Sequence, residues 1–263
     1  MFLDLTGESV ALLTLVALLA GVVDAIVGGG GLLQLPFLLA VLPGFGPATP
    51  LGVNKAVSAL GNLASAAVYR RRNPGARVDG RLLAWAGAVA VAGAVTGALV
   101  AASLSVRALR PVVIAVLVTV LWLVVSGRLA RAAEAEPVAP PGRRARLPLA
   151  ASSWVIGLYD GAVGPATGSF LLLAHQRVLG RSLVDSLGTV KAVQCCMNLG
   201  GAAVLLCAGP TSWPLIALLG LANTAGSALG ARLTLRRGDA FVRAVLVLAV
   251  LAATGKLVHD QWF

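Results

Sequence analysis

Four charged side chains lie within otherwise apolar stretches of this sequence and are the groups best suited to chemistry. Asp24 and Asp160 are the carboxylates in those stretches, and Lys55 and Lys191 are the lysines. A charge inside a lipid bilayer is expensive and usually marks a binding or transport site. The chain has 3 lysines against 18 arginines. Two lysines at these positions therefore indicate a need for a compact ammonium group that can release its proton.

Each lysine begins a stripe of polar side chains on a predicted helix, because residues three and seven apart share one helix face. The stripes consist of Lys55, Ser58 and Asn62 in one helix, and of Lys191, Gln194 and Asn198 in the other. We expect the lysines to attract a small anion and the two asparagines to orient it or to brace the neighbouring loops.

Other roles for the charged groups stay open at this stage. Each lysine could instead extend its ammonium to the membrane surface, since it lies only four residues into its helix. Asp24 could form a structural ion pair with Lys55, and Asp160 with Lys191, which would neutralise both buried charges. The carboxylates could also serve as countercharges that carry a coupling proton.

A glycine-rich break precedes each of these helices. One break contains the substrate-binding candidates Gly28, Gly29, Gly30 and Gly31, and the other contains Gly164 and Gly168. Irregular backbone at membrane depth is tolerated only where it is buried in protein or lines an aqueous cavity. A break also exposes N–H groups at the start of the next half-helix, which bind anions. The alternative, close helix packing through small residues, explains other glycines better: Gly87, Gly93, Gly97, Gly226 and Gly230.

The composition identifies a membrane protein. Of the 263 residues, 58% are hydrophobic and 12% are charged, against about 25% charged in soluble domains. The net charge of +11 comes from arginines between the predicted spans, as the positive-inside rule expects. No aromatic-studded basic face accompanies it, so nucleic acid is not an expected partner.

The second half of the chain repeats the first at an offset of 136 residues. At this offset Asp24 aligns with Asp160, and Gly28 with Gly164. Residues 51–66 align with 187–202, and eight of these sixteen positions are identical. Secondary transporters are commonly built from such duplicated units.

We therefore predict an all-α, polytopic helical membrane protein made of two inverted repeats. Each repeat has a broken, re-entrant helical hairpin followed by three spanning helices. Repeat 1 covers 1–126, with a hairpin at 10–42 and spans at about 51–69, 82–102 and 111–126. A basic cytoplasmic linker covers 127–147. Repeat 2 covers 148–263, with a hairpin at 148–174 and spans at about 187–208, 214–233 and 241–258.

The hairpins follow from the distribution of basic residues. If each broken segment enters and leaves on one side, 16 of the 21 basic residues lie in loops on the same face. If the broken segments cross fully, the two faces are nearly balanced. The positive-inside rule favours the first arrangement, which places both termini outside the cytoplasm.

Several motifs resemble the sulfite exporter TauE/SafE family, also called the toluene-sulfonate uptake permease family. They are VDAIVGGGGLLQLP (23–36), LGVNKAVSALGN (51–62), YRRRN (69–73), YDGAVGPATGSF (159–170) and TVKAVQCCMNLGG (189–201). The resemblance implies a multi-pass protein of the bacterial inner membrane that moves sulfur-containing or organic anions such as sulfite, sulfoacetate and sulfonates. Ala166 and Thr167 stand where the first half has Gly30 and Gly31, so the second loop is expected to be less flexible.

The expected function is gradient-driven transport of a small anion, because no ATP-binding motif is present. The expected partners are the anion and the lipid bilayer, and a homo-oligomer is left open. We expect no cofactor, no metal site and no catalytic residues, since no nucleophile–base pattern or metal-ligand spacing occurs. The alternatives are an anion channel, and a non-transporting integral membrane subunit or enzyme.

Overall fold

A computed structural model of the chain describes residues 5–42, 44–76, 80–103, 146–164 and 166–262. Every regular element in these ranges is helical, which confirms the predicted all-α class. The predicted span at about 111–126 and nearly all of the linker at 127–147 lie outside the described residues.

The first apolar segment forms two helices that fold against each other. Helix α1 (Gly7–Val27) begins at Thr6, whose side chain accepts a hydrogen bond from Ser9 N, and ends where Gly28 adopts a left-handed conformation with φ of 76°. Helix α2 (Gly30–Val41) follows immediately. Leu38 near its end shares an apolar cluster with Leu13 near the start of α1. The segment is therefore a helical hairpin.

Two longer helices follow the hairpin. Helix α3 (Ala48–Arg72) carries the first polar stripe and has three arginines in its last turn, where cations favour the negative end of the helix dipole. After a short 3-10 turn (Pro74–Ala76), helix α4 (Gly80–Ser103) completes the described part of the first half.

The second half has the same order of elements. A second hairpin consists of α5 (Arg146–Ala162) and α6 (Thr167–Leu179), and Ser153 Oγ on α5 lies 3.4 Å from His175 Nε2 on α6. Helix α7 (Leu183–Ala208) carries the second polar stripe. Helix α8 (Trp213–Trp262) is interrupted at Gly238, where φ is 74°.

The helices of the two halves pack mainly against each other. Helix α1 lies along α8, α4 lies along α5 and α7, and α3 lies against α7 and α8. Glycines allow backbone contact between these helices, as the small-residue explanation predicted. Added methyl groups would overlap neighbouring backbone at Gly93, Gly97, Gly226 and Gly230, whereas Gly87 lies beside the side chain of Cys196.

The two stripe-bearing helices run in opposite directions. Gly52 of α3 lies beside Leu205 of α7, Cys195 Sγ donates to Ala59 O at 3.4 Å, and Gly188 lies beside Tyr69. Residue numbers thus rise along one helix while they fall along the other. This one pair of equivalent helices is therefore antiparallel, as an inverted duplication would require.

Four of the described helices are long and apolar enough to cross a membrane. They are Gly7–Val27, Gly80–Ser103, Leu183–Ala208 and Trp213–Val242. Helix α3 is equally long at 25 residues but is more polar because of its stripe. The chain is therefore a multi-pass membrane protein, and the inverted topology of its halves stays a prediction.

Candidate functional site

The four intramembrane charges form two ion pairs, and each pair joins the two halves. Lys55 Nζ on α3 lies 2.5 Å from Asp160 Oδ2 on α5. Lys191 Nζ on α7 lies 3.0 Å from Asp24 Oδ2 on α1. The side chains of Lys55 and Lys191 are 1% and 0% exposed. Each pair therefore links a stripe helix to the hairpin of the other half.

This arrangement corrects two of the readings left open by the sequence. Pairing within each half, Asp24 with Lys55 and Asp160 with Lys191, is wrong, because each ammonium group lies on the carboxylate of the opposite half. A methyl group at Gly164 would lie 2.9 Å from Lys55 Nζ. Extension of the lysines to the membrane surface is also wrong, because both ammonium groups are buried and paired.

Asp24 occupies the position that an anion would take at the start of α2. Its Oδ1 accepts a hydrogen bond from Gly30 N at 3.2 Å, so the carboxylate caps the positive end of the half-helix. Its Oδ2 accepts from Lys191, which also donates to Gln194 Oε1 at 2.8 Å. One carboxylate thus binds both the ammonium and the backbone amide that were expected to hold a ligand.

The two breaks contact each other directly. Gly168 N donates to Gly28 O at 3.1 Å, and Ser169 Oγ donates to Val27 O at 2.7 Å. A methyl group at Gly28 would overlap the backbone of Gly168, so the contact requires glycine. We call this contact, formed by Val27, Gly28, Gly168 and Ser169, the clasp.

The four consecutive glycines differ in how much space their surroundings leave for a side chain. A methyl group at Gly30 would lie 2.6 Å from Asp24 Cβ, so that position must stay small to admit the carboxylate. Methyl groups at Gly29 and Gly31 would have no neighbour closer than 3.6 and 3.7 Å. In the second break, Ala166 takes a left-handed conformation with φ of 61°, which is strained for a residue with a side chain.

The stripe residues differ in their surroundings. Asn62 is fully buried, and neither its amide nitrogen nor its amide oxygen has a hydrogen-bond partner among the described residues. Each such buried polar atom costs about 1–3 kcal/mol. Asn198 and Gln194 are also buried, at 3% and 4% exposure. Ser58 is half-buried.

Several buried polar residues near the breaks were absent from the candidates drawn from the sequence. Asn223 of α8 donates to Ala17 O at 2.9 Å and lies 3.5 Å from Gln34 Oε1. Tyr69 Oη donates to Ala25 O at 2.9 Å. Asn54 lies beside Gly31, 3.7 Å from a methyl group placed there. Gln34 and Asn54 could have been found as polar residues inside the two motifs, whereas Asn223 gave no signal beyond an isolated amide in an apolar span.

The charged groups of this site are arranged as two neutralised pairs. Its two ammonium groups and two carboxylates cancel in charge, and each is held by its partner. Removal of one member of a buried pair leaves an uncompensated charge, at a cost of about 3–5 kcal/mol. Among the residues that the structure describes, no group of three or more His, Cys, Asp or Glu side chains could hold a metal ion.

Comparisons with known proteins agree with a membrane-transport role. The family model described as "Sulfite exporter TauE/SafE" matches residues 13–257. The chain is 29% identical over 248 residues to "Probable membrane transporter protein YfcA" of Escherichia coli (strain K12), covering 94% of this chain and 88% of the relative. It is 29% identical over 269 residues to a "Probable membrane transporter protein" of Haemophilus influenzae, covering 99% of each chain. No solved structure matches the chain.

Proposed function

Because the chain belongs to the sulfite exporter TauE/SafE family, we propose that it is a secondary, gradient-driven transporter of a small anion. The family name and the names of the relatives support transport. The family name also suggests a sulfur-containing or organic anion, in the manner of sulfite or a sulfonate. The chain has no proposed catalytic role, since its buried polar groups are arranged around ion pairs.

The observation that carries the proposal is the position of the two lysines. Lys55 and Lys191 meet the carboxylates of the opposite hairpins beside the clasp. An anion entering between the halves would reach two ammonium groups, the amides at the start of α2 and α6, and the carboxamides of Asn62, Asn198 and Gln194. Such convergence of cationic groups and half-helix starts suits a small oxyanion.

Transport in this proposal requires the carboxylates to release the lysines. When Asp24 takes up a proton, it no longer balances Lys191 or caps α2 as an anion, and the substrate can take its place. Asp160 would act in the same way on Lys55. The halves would then rock against each other around the clasp and expose the site to the other side of the membrane. The coupling ion would accordingly be H⁺.

The proposed location is the bacterial inner membrane, with both termini on its extracytoplasmic side. The support is a count: if both broken segments fold back as hairpins, most basic residues lie in loops on one face, as the positive-inside rule favours. A reporter fused after residue 263 should be active only outside the cytoplasm. Activity of that fusion in the cytoplasm would remove the basis of this orientation.

The transport proposal is tested with purified protein in proteoliposomes. Labelled sulfite, thiosulfate, sulfonates and small carboxylates are supplied across an imposed pH gradient, with protein-free vesicles as the control. We expect saturable accumulation of at least one anion that collapses when the gradient is dissipated. Failure of every anion to accumulate, with the protein folded and correctly inserted, would overturn the proposal.

The same experiment separates the transporter from its alternatives. An anion channel would pass anions at a rate that rises linearly with concentration, and it would not accumulate them against a gradient. A non-transporting subunit or enzyme would leave the vesicles unchanged. A subunit would also co-purify with a larger complex.

A further inference from the structure

The unpaired amide of Asn62 indicates what kind of anion the site accepts. Both Asn62 Nδ2 and Asn62 Oδ1 are buried and lack a hydrogen-bond partner within the described ranges. Buried polar groups are normally satisfied, so an exception calls for an explanation. Because both atoms of this amide lack a partner, exchanging its oxygen and nitrogen assignments does not alter the observation.

Asn62 lies on the face of α3 that contacts both hairpins. Residues seven apart lie on one face of a helix, so Asn62 shares its face with Lys55 and Tyr69. Lys55 reaches Asp160 beside the second break, and Tyr69 Oη bonds to Ala25 O just before the first break. Asn62 lies midway between these two contacts and therefore faces the region between the breaks.

The facing helix gives the same position independently. Cys195 of α7 bonds to Ala59 of α3, and the helices are antiparallel, so Gln194 lies close to the level of Asn62. The amide of Gln194 is 2.8 Å from a methyl group placed at Gly168. From these two relations we infer that Asn62 lies level with the clasp and on the side of α3 that faces it.

Two other unpaired carboxamide atoms lie on α2 and α3. They are Gln34 Nε2 on α2 and Asn54 Oδ1 on α3, both buried. Asn62 is the residue among these whose amide has both its donor and its acceptor without a partner in the described ranges. A simple oxyanion can use the donors but offers nothing to the acceptors.

We propose that the transported anion carries a hydrogen-bond donor of its own, and that Asn62 selects it. The donor is a hydroxyl group on the anion. Asn62 Nδ2 donates to the anionic oxygen, and Asn62 Oδ1 accepts from the donor group. This inference rests on the proposed anion transport and adds the substrate class to it.

The test uses pairs of anions that differ only by a hydroxyl in place of a methyl group: 2-hydroxyethanesulfonate against propane-1-sulfonate, and glycolate against propionate. Each is added unlabelled as a competitor of whichever labelled anion the vesicle panel shows to accumulate. We expect the hydroxylated member of at least one pair to inhibit at a concentration about tenfold lower. The ratio within a pair does not depend on how much protein is active.

Two leucine variants show whether Asn62 recognises the hydroxyl group of the anion. Asn62→Leu should remove the preference, because leucine has a similar size but no amide. Asn223→Leu is the matched control, since Asn223 is equally buried but already donates to Ala17 O; it should keep the wild-type ratio. If Asn62→Leu does not fold, Asn62→Ala replaces it and Asn223→Ala is its control.

Equal inhibition by both members of each pair in the wild type would overturn the inference. A preference that survives in Asn62→Leu would also overturn it, because the amide of Asn62 would then only fill space or bind water. Both results leave anion transport standing. Failure of the initial panel would instead overturn the proposed function itself, so the two failures are distinguishable.

Discussion

A double variant, Lys55→Gln with Asp160→Asn, is expected to lose anion transport while keeping a nearly native fold. Both charges of the pair disappear together, so no unpaired charge stays buried, and the free energy of unfolding should stay within about 1–2 kcal/mol of the wild type. Transport should fall about 30-fold or more, because the anion loses a charged partner. Vesicle uptake and unfolding in detergent measure the two effects.

The single variant and a control complete this experiment. Lys55→Gln alone leaves Asp160 buried without its partner and should destabilise the protein by about 3–5 kcal/mol. Lys256→Gln makes the same substitution in the lysine outside the stripe helices and should leave uptake unchanged. Normal transport by the double variant would show that the pair only stabilises the fold and would dismiss a lysine-centred site.

Double-mutant cycles should detect energetic coupling only between lysines and carboxylates of opposite halves. Lys191 and Asp24 are in contact at 3.0 Å, so Lys191→Gln and Asp24→Asn should show a coupling energy of about 1–3 kcal/mol in unfolding. The same cycle for Lys55 and Asp160 should give a comparable value. The physical reason is that either substitution alone abolishes the ion pair. The second substitution therefore lowers the free energy of unfolding by less than it does in the wild type.

The matched controls are the within-half combinations. Lys55 with Asp24, and Lys191 with Asp160, form no ion pair in the structure, and their substitutions should be additive to about 0.5 kcal/mol. Coupling that is larger within a half than between halves would contradict the crossed pairing. These cycles need no transport assay, so they test the fold independently of the function.

Much of the site could be predicted because a membrane makes polar residues conspicuous. A lone Asp or Lys in an apolar segment has few explanations, and the repeat identified equivalent positions in the two halves. The identities of Asp24, Asp160, Lys55 and Lys191 therefore came from the sequence. The hairpins were also predictable, because glycine-rich breaks divide segments too long for one span.

The partners of these residues were harder to predict. Asp24 and Lys55 are 31 positions apart, whereas Asp24 and Lys191 are 167 apart, and proximity in the chain suggested the shorter pairing. The same limit applies to Asn223, whose importance comes from its contact with Ala17 on a distant helix. The sequence likewise could not separate Gly28 and Gly30 from Gly29 and Gly31, because the difference lies in which atoms surround each glycine in the fold.

The sequence by itself determined the membrane class, the helical hairpins and the four charged groups, because hydrophobic length and glycine position act locally along the chain. Only the tertiary structure decided which charges neutralise each other and that the two breaks clasp. Those contacts depend on packing α1 against α8, α4 against α5, and α3 antiparallel to α7. Because the chain is duplicated, each lysine has two equivalent carboxylates as possible partners. The packing of the halves decides which carboxylate it pairs with.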